Sequence, residues 1–358
     1  MFSILIVYIT LLNAIILIAL FIKKNKKTES NIRSENFISV IVAFRNESHN
    51  LPILINSLKN QIYPAEKFEV ILVDDYSEDD SFQIAKQLIS DNSNFKLFKN
   101  QYNSGKKNAL KTGIEQVQNE LLLFTDADCI PKPTWINSVS AAFDSNTDLI
   151  YGYSPFLTEN SFLNQLCRYE NLFTSILMTA FHNVGYPYLS FGRNLGYRKS
   201  LFERLGGFEQ IQKSLSGDDD LFFQLAIKNQ ANVKLIDNPE SIVLTKCPSN
   251  WKTYLRQKSR HISASKFYPL ELKFVLSLIY GGNILLQFIL PVALITFDPF
   301  LLSFIFFNWI IKVLSISKIC STIKNSYEFY LIPVIDFIYN FFLIVTGIRS
   351  RVKVASWK

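Results

Sequence analysis

Two long apolar segments constrain the fold of this chain more than any other feature of its sequence. Residues 1–22 carry no charged side chain, and the chain from about 274 to 348 consists mostly of Phe, Ile and Leu. A helix of about 20 apolar residues is long enough to cross a bilayer. The sequence therefore predicts an N-terminal transmembrane anchor over 1–22 and a C-terminal transmembrane region of two or three segments over 271–348, with a polar domain between them.

Basic residues set the predicted orientation. The cluster KKNKK directly follows the first apolar segment, and basic clusters beside membrane helices favour the cytoplasmic side. A cleaved signal peptide is the alternative, but it would have a basic start and a small-residue cleavage site. We therefore expect an uncleaved anchor, a basic linker over 23–36, a cytoplasmic catalytic domain and a basic tail over 349–358, in a multi-pass protein of a cell membrane, such as a bacterial inner membrane.

The net charge of +7 does not indicate a nucleic-acid partner. Many of the basic residues flank apolar segments, where they would meet anionic lipid headgroups. The four cysteines are scattered without metal-ligand spacing, which is typical of free thiols in a reducing compartment. Membrane lipids, rather than nucleic acid, are the predicted partners of the basic side chains.

Strand-like and helix-like patterns alternate between residue 37 and about residue 150. The apolar runs that predict strands are FISVIVAF, KFEVILVDD, NFKLFKN and ELLLFTDAD, with helical periodicity between them. This alternation predicts an open, mostly parallel α/β sheet, extending as one domain over 37–250. Ligands of such sheets bind at the carboxyl ends of the strands, where this sequence places most of its acidic side chains.

Asp126 and Asp128 follow a run of four apolar residues. Two neighbouring carboxylates repel each other, and burying them is unfavourable unless a cation or a proton intervenes. An Asp-X-Asp pair supplies oxygen ligands of the kind that Mg²⁺ or Mn²⁺ prefers, and such an ion neutralises a diphosphate. The competing interpretation is an ordinary acidic surface pair, which is common.

Three further groups are candidates for chemistry. Asp74 and Asp75 follow the second strand, and one of them would bind a base or ribose, or the pair would form an acidic turn. Lys106 begins a predicted helix and would reach a phosphate or base, or be solvated. Among Asp218, Asp219 and Asp220, the helix dipole explains part of the charge, but one carboxylate aimed into a cleft would serve as a general base.

A basic, aromatic helix over 251–270 precedes the apolar tail and is typical of a membrane interface. Gln257 and Arg260 lie three residues apart, on neighbouring positions of this helix. The arginine would either clamp a diphosphate or contact lipid headgroups. The three histidines of the chain are isolated in sequence and predict no metal or nucleophile role.

The ordered motifs resemble those of a known enzyme family. The matching series over roughly residues 37–265 is VIVAFRNE, VILVDDYSEDDS, GKKNAL, FTDADC, FGRNLGYRKSLFERLGGF, GDDDLFFQLA and QKSRH. It resembles the inverting glycosyltransferases of family 2, which have the GT-A fold, in their membrane-bound ceramide-glucosyltransferase and polysaccharide-synthase branch. His261 stands where that branch usually has Trp, so the final motif is incomplete and does not predict processive polymerisation.

The resemblance implies a role for each matching residue. For the donor, it implies that Asp75 binds uracil, that Glu47 and Lys106 lie near the base or ribose, and that Asp126 contacts the sugar or ribose. It implies that Asp128, with Asp126, ligates the metal, and that Gln257 and Arg260 bind the diphosphate. It implies that Asp219 is the general base and that the acceptor region comprises Gly192, Arg193, Asn194 and Asp218. The implied cofactor is Mg²⁺ or Mn²⁺.

The expected activity is transfer of a hexose-type sugar from a UDP-sugar to a hydroxyl of a lipid or lipid-linked glycan. One alternative is a haloacid-dehalogenase-like phosphatase, whose Asp-X-Asp strand lies near the start of its domain; here three strand-like segments precede that strand. The other alternative is a catalytically inactive membrane scaffold on the same fold.

Overall fold

The computed structural model describes residues 2–22, 36–214 and 216–352. The basic linker and most of the basic tail lie outside the described residues. The described chain divides into two compact units. An α/β unit comprises 36–157 and 188–246 (apart from residue 215), and a helical unit comprises 2–22, 158–187 and 247–352.

The strands all belong to the α/β unit. In chain order they are β1 (Ile38–Phe44), β2 (Phe68–Asp74), β3 (Phe95–Lys99), β4 (Leu121–Phe124), β5 (Cys129–Pro131), β6 (Leu149–Gly152), β7 (Leu195–Arg198), β8 (Val233–Ile236) and β9 (Val243–Thr245). Seven of them form one sheet in the order β3-β2-β1-β4-β7-β6-β8. All its neighbours pair in parallel except β7, which is antiparallel to β4 and β6, whereas β5 and β9 form a separate antiparallel pair.

The helices of both units are numbered together along the chain. They are α1 (Phe2–Phe21), α2 (Leu51–Lys59), α3 (Ser81–Leu88), α4 (Lys106–Glu115), α5 (Trp135–Ala142), α6 (Phe162–Asn183), α7 (Lys199–Arg204), α8 (Asp220–Lys228), α9 (Trp251–Ala264), α10 (Leu270–Thr296), α11 (Pro299–Ile323) and α12 (Ile332–Val352). Short 3₁₀ turns connect several of them, including the turn Gly192–Asn194 that leads into β7.

The central strands are apolar because helices cover both faces of the sheet. Every residue of β1 is buried, and β4 is buried throughout, as expected for parallel strands without a solvated face. Helix α4 packs closely against this part of the sheet. A Cβ at Gly113 would lie 2.6 Å from Ile41 Cγ2, so only glycine allows α4 to approach β1 so closely.

The prediction of a mostly parallel α/β sheet between apolar terminal helices is confirmed. Strand β7 departs from it, because the glycine-containing sequence FGRNLGYR predicts a loop that leads to a helix. The strongly apolar sequence of α6, which carries Arg168 and Glu170, predicts either a buried helix or one on the membrane surface. The structure places it in the helical unit, with Arg168 only 3% exposed and paired with Glu328 at 2.9 Å.

Four helices in the described part of the chain are long and apolar enough to cross a membrane, one near the N-terminus and three towards the C-terminus. Within the helical unit, α1 packs against α10 and α11. Ile6 and Ile9 are buried there beside Leu286 and Ile289, and Asn13 Nδ2 donates a hydrogen bond of 2.7 Å to Asn308 Oδ1. These contacts make α1 part of the helical unit.

Candidate active site

Topology brings the acidic motifs of the α/β unit to one edge of the sheet. Strands β1, β2 and β4 are parallel neighbours; Phe44 pairs with Asp74, and Ile41 pairs with Phe124. Their carboxyl ends therefore face the same edge, where an α/β sheet binds ligands. Glu47 follows β1, Asp75 follows β2, and Asp126 follows β4, so their common edge is a consequence of the strand order.

Asp126 and Asp128 lie in the tight connection between β4 and β5. One ligand atom from each, together with Cys129 Sγ, can be chosen so that all three lie within 4.8 Å of one another. The low solvent exposure around Asp128 raises the pKa of its carboxyl group; the charge of Asp126 raises it further, and Arg193 opposes the shift. A bound cation would relieve this electrostatic strain. The two carboxylates thus fit an oxygen-ligated divalent ion such as Mg²⁺ or Mn²⁺.

Lys106, at the start of α4, connects two acidic motifs that are far apart in the sequence. Its Nζ lies 2.8 Å from Asp126 Oδ1 and 2.9 Å from Asp218 Oδ2. Burial lowers the pKa of Lys106, but the charges of Asp126, Asp218 and Asp219 outweigh burial and raise the pKa above its ordinary value. Lys106 therefore stays protonated between these carboxylates, rather than extending into solvent.

Asp219 caps the N-terminus of α8, with its side chain held from two sides. Its Oδ1 accepts a hydrogen bond of 2.8 Å from the backbone N–H of Asp220, and its Oδ2 accepts one of 3.2 Å from that of Gly192. A Cβ at Gly192 would lie 2.9 Å from Asp219 Cβ, so glycine is needed for this close approach. Burial and the charge of Asp218 raise the pKa of Asp219, whereas Lys106 opposes the shift.

The other predicted acceptor-region residues, Arg193 and Asn194, contact the protein itself. Arg193 Nε donates to Ser154 Oγ at 2.7 Å, and its guanidinium lies 5.0 Å from the ring centroid of Phe191. Asn194 is 2% exposed, and its Oδ1 accepts a hydrogen bond of 3.0 Å from Trp135 Nε1. These bonds hold the Gly192–Asn194 turn against Asp219.

Asp75 is fully buried and fixes the loop before α4. Its carboxylate accepts hydrogen bonds from Asn100 Nδ2 at 2.5 Å, from Ser104 Oγ at 3.0 Å and from the backbone N–H of Gly105 at 2.9 Å. Glu47 is also buried, and its Oε2 accepts a hydrogen bond of 2.7 Å from Asn50 Nδ2. Both acids shape the loops of the site, and their contacts with a nucleotide stay predictions.

A cavity of about 1360 Å³ opens beside Lys106. Its lining includes Arg45, Tyr76 and Tyr102, with Phe208 among the residues from the segment that follows α7. Arg45 donates to Ser104 Oγ at 2.8 Å and to Glu78 at 3.1 Å, while its Nε is buried without a hydrogen-bond partner. Cationic and aromatic side chains therefore line a cavity wide enough for a nucleotide.

Sequence reasoning placed Arg45 among the polar residues at the strand ends without giving it a role, and it missed Lys107. Arg45 had a weak signal, because it directly follows a predicted strand. Lys107 had none: its Nζ donates to the backbone carbonyls of Ile211, Ser214 and Ser216. It thereby anchors the segment before Asp218. Because all three acceptors are backbone carbonyls, which every residue type has, the sequence gives no sign of these bonds.

Gln257 and Arg260 lie on α9, in the helical unit. The helix is fixed to α6 by Glu170, which accepts a hydrogen bond of 3.0 Å from Tyr254 OH and pairs with Lys258 at 2.8 Å. Lys258 and Arg260 are two positions apart and point in different directions around the helix. The role of Gln257 and Arg260 at a diphosphate stays a prediction.

Two family models match the chain. The glycosyl transferase family 2 model matches residues 39–206, and the glycosyl transferase family group 2 model matches residues 123–346, which is more than half of the chain. The chain belongs to glycosyltransferase family 2. It is therefore a glycosyltransferase, and the resemblance inferred from its motifs is confirmed. Neither the phosphatase nor the inactive scaffold gains support from these matches.

Individual relatives give the same assignment. The chain is similar to the probable glycosyltransferase YdaM of Bacillus subtilis, with 22% identity over 92% of this chain and 77% of that protein. It is also similar to the glycosyltransferase AglE of Haloferax volcanii, with 34% identity over 35% of this chain and 41% of AglE. A cholesterol galactosyltransferase of Borreliella burgdorferi is 28% identical over 52% of each protein. The chain thus spans about half or less of the length of two of these relatives.

The fold also has a solved counterpart. The mannosyltransferase PcManGT from Pyrobaculum calidifontis, determined in complex with GDP-Man and Mn²⁺, aligns with a TM-score of 0.60 over 97% of this chain and 99% of that chain. Its sequence is 16% identical, so the likeness is one of fold. It confirms the predicted GT-A architecture.

Proposed function

We propose that this glycosyltransferase moves a hexose-type sugar from a UDP-sugar to a hydroxyl of a lipid or lipid-linked glycan, with inversion, at the cytoplasmic face of a membrane. The observation that carries the proposal is the convergence of Asp126, Asp218 and Lys106 at one edge of the sheet, beside Asp219. A donor site and a base are both needed there for sugar transfer.

In this proposal, the residues at the strand ends would bind the donor. The nucleoside would lie in the cavity beside Arg45, within the loops that Glu47 and Asp75 shape, and Gln257 and Arg260 would hold the diphosphate. Asp126 and Asp128 would hold Mg²⁺ or Mn²⁺, which supplies Lewis-acid neutralisation of the diphosphate when bound. UDP is proposed as the nucleotide because of the motif resemblance. GDP is the alternative that the experiment below includes, because PcManGT was solved with GDP-Man.

Asp219 would act as the general base. It takes the proton of the acceptor hydroxyl as that oxygen forms a bond to the anomeric carbon, and the bond from this carbon to the diphosphate oxygen breaks on the opposite side. The hydrogen bonds from Asp220 and Gly192 hold the carboxylate in place, and its raised pKa makes it a stronger base at neutral pH. The acceptor would enter along the Gly192–Asn194 turn, beside Asp218.

A lipid acceptor is proposed from two observations. Four apolar helices are able to span a membrane, so acceptors embedded in it are close to the protein. The name of one relative, a cholesterol galactosyltransferase, describes transfer to a lipid. The proposed arrangement is a catalytic region over 37–250, whose segment 158–187 belongs to the helical unit, followed by an interfacial helix over 251–270, with transmembrane regions over 1–22 and 271–348.

Nucleotide release tests the proposal. Detergent-purified protein with Mn²⁺ or Mg²⁺ would receive a panel of UDP- and GDP-sugars, with and without a total lipid extract. We expect lipid-stimulated release of UDP that is lost in Asp128→Ala and retained in Asp237→Asn, an exposed carboxylate in the same unit. Release of GDP alone would replace the proposed nucleotide, and no turnover of any sugar nucleotide would overturn the proposed function.

A further inference from the structure

Lys106 occupies a position that a cation cofactor would have to share. Its ammonium group contacts Asp126 Oδ1 at 2.8 Å and Asp218 Oδ2 at 2.9 Å, and its side chain is only 17% exposed. Asp126 is also one of the two carboxylates that fit a divalent ion. One carboxylate thus faces both a fixed monovalent cation and a proposed divalent one.

The position of Lys106 is fixed by the fold. Asp75 holds the backbone of Gly105, which directly precedes it, and Lys107 binds the carbonyls of Ile211 and Ser216. The helix start therefore cannot move away from the acidic motifs without breaking both sets of bonds. With the helix start anchored and its ammonium group paired with both Asp126 and Asp218, Lys106 holds a positive charge beside Asp126.

Two cations that share a carboxylate in a poorly solvated site repel each other strongly. A divalent ion would therefore bind weakly while Lys106 is paired with Asp126. The diphosphate of a sugar nucleotide brings additional negative charge to the same place, and its oxygens attract both the divalent ion and the ammonium group. Donor binding would thus offset the repulsion between the divalent ion and the ammonium group of Lys106.

We propose that Lys106 is a built-in counter-cation that keeps the affinity for the divalent ion low until the donor diphosphate arrives, so that ion and donor bind together. This inference rests on the proposed function, because it takes the metal site at Asp126 and Asp128 as given. It assigns to Lys106 control over metal occupancy, in place of the base or ribose contact expected from the motif.

Binding of Mn²⁺ followed by electron paramagnetic resonance tests this role without any turnover. The full chain in detergent would be titrated with Mn²⁺ in the presence and absence of UDP. We expect UDP to strengthen Mn²⁺ binding in the wild type about tenfold or more, within the usual range of coupling between two ligands. In Lys106→Met, binding without UDP should tighten about tenfold, and the effect of UDP should shrink accordingly.

Matched variants separate the specific effect from a general loss of charge. Lys96→Met removes the same charge from the same unit, away from the cavity, where Lys96 pairs with Glu69 at 2.8 Å, and should behave like the wild type. Lys106→Arg keeps the charge and should retain weak binding. Lys106→Gln gives the same sign of change as Lys106→Met if the methionine variant does not fold, as judged by thermal unfolding.

Unchanged or weaker Mn²⁺ binding in folded Lys106→Met or Lys106→Gln would overturn the proposal. If the wild type binds no Mn²⁺ even with UDP, or if Asp128→Asn leaves binding unchanged, the metal site itself is wrong and both proposals fail. The two kinds of failure are distinguishable. If only the role of Lys106 is wrong, Mn²⁺ binding still depends on UDP and on Asp128; if the metal site is wrong, no such binding is observed.

Discussion

At the scale of single residues, the environment of each carboxylate decides what it can do. Asp128 and Asp219 both have a raised pKa, because burial and a neighbouring acid disfavour their charged forms. Asp75 is instead surrounded by hydrogen-bond donors from one loop. Acids with similar positions in the sequence therefore differ in environment: Asp128 and Asp219 lie where a cation or a proton is favoured, whereas Asp75 is held by hydrogen bonds within the fold.

Removal of the charge next to Asp219 should shift the pH dependence of catalysis. A base must be deprotonated, so activity is lost as the pH falls through its pKa. Burial is the largest cause of the raised pKa of Asp219, and the negative charge of Asp218 is the second largest. Asp218→Asn should therefore lower this pKa and move the acidic limb of the kcat/KM profile to lower pH.

The control for this measurement is Asp237→Asn, which should leave the limb in place. An acidic limb in Asp218→Asn that is unchanged, or moved to higher pH, would contradict the assignment of Asp219 as the base.

The motifs that carry these residues could be predicted, but their partners could not. Asp-X-Asp after an apolar run and three acids before a helix are local patterns. The position of Lys106 between Asp126 and Asp218 depends on how α4 packs against β1, through Gly113. Contacts of this kind join residues far apart in the chain, and no spacing rule encodes them.

At the scale of secondary structure, a buried carboxylate organises the helical unit. Asp336 of α12 is 2% exposed and pairs with Lys312 of α11 at 2.6 Å. It also accepts hydrogen bonds from Tyr169 OH of α6 at 2.7 Å and from Gln287 Nε2 of α10 at 3.1 Å. Four helices therefore contact one side chain, and these bonds fix the positions of the four helices along one another.

Lys312→Met should destabilise the helical unit by about 3–5 kcal/mol, because it leaves the buried charge of Asp336 without its counter-ion. The double variant Lys312→Met/Asp336→Asn should recover part of this loss, since no uncompensated charge remains. Thermal unfolding in detergent measures both effects, with Lys318→Met on the same helix as the control. A double variant less stable than Lys312→Met would contradict this interpretation.

Helices and strands were predicted well where their apolar pattern extends over many residues, and poorly where it covers only a few. Strands β1, β2 and β4 were evident as apolar runs. Strand β7 has four residues, including Gly196, and follows a glycine-containing turn, so its sequence resembles a loop. It becomes a strand because β4 and β6 offer it backbone partners on both sides, which is tertiary information.

At the scale of the whole molecule, the distribution of apolar residues determines the division into two units. The helical unit is assembled from three separate stretches of the chain. The sequence indicated its first and last stretches by their long apolar segments. It did not assign α6 to this unit, because Arg168 and Glu170 interrupt the apolar pattern and find their partners only in the folded chain.

The four apolar helices predict firm membrane attachment. The protein should remain in the membrane pellet after an alkaline carbonate wash, because such treatment removes proteins held by charge but not helices buried in the bilayer. A peripheral protein expressed in the same cells serves as the control. Quantitative release of the full chain into the wash would contradict a transmembrane role for these helices.

The central claim is sugar transfer with Asp219 as the base, and it is tested most directly by transfer of a labelled sugar to membrane lipid by the wild type and by Asp219→Asn. The account predicts that the variant loses about 10²-fold to 10⁴-fold in kcat, the usual contribution of a general base, while its affinity for the donor stays within about twofold. Transfer by Asp219→Asn at the wild-type rate would contradict the account.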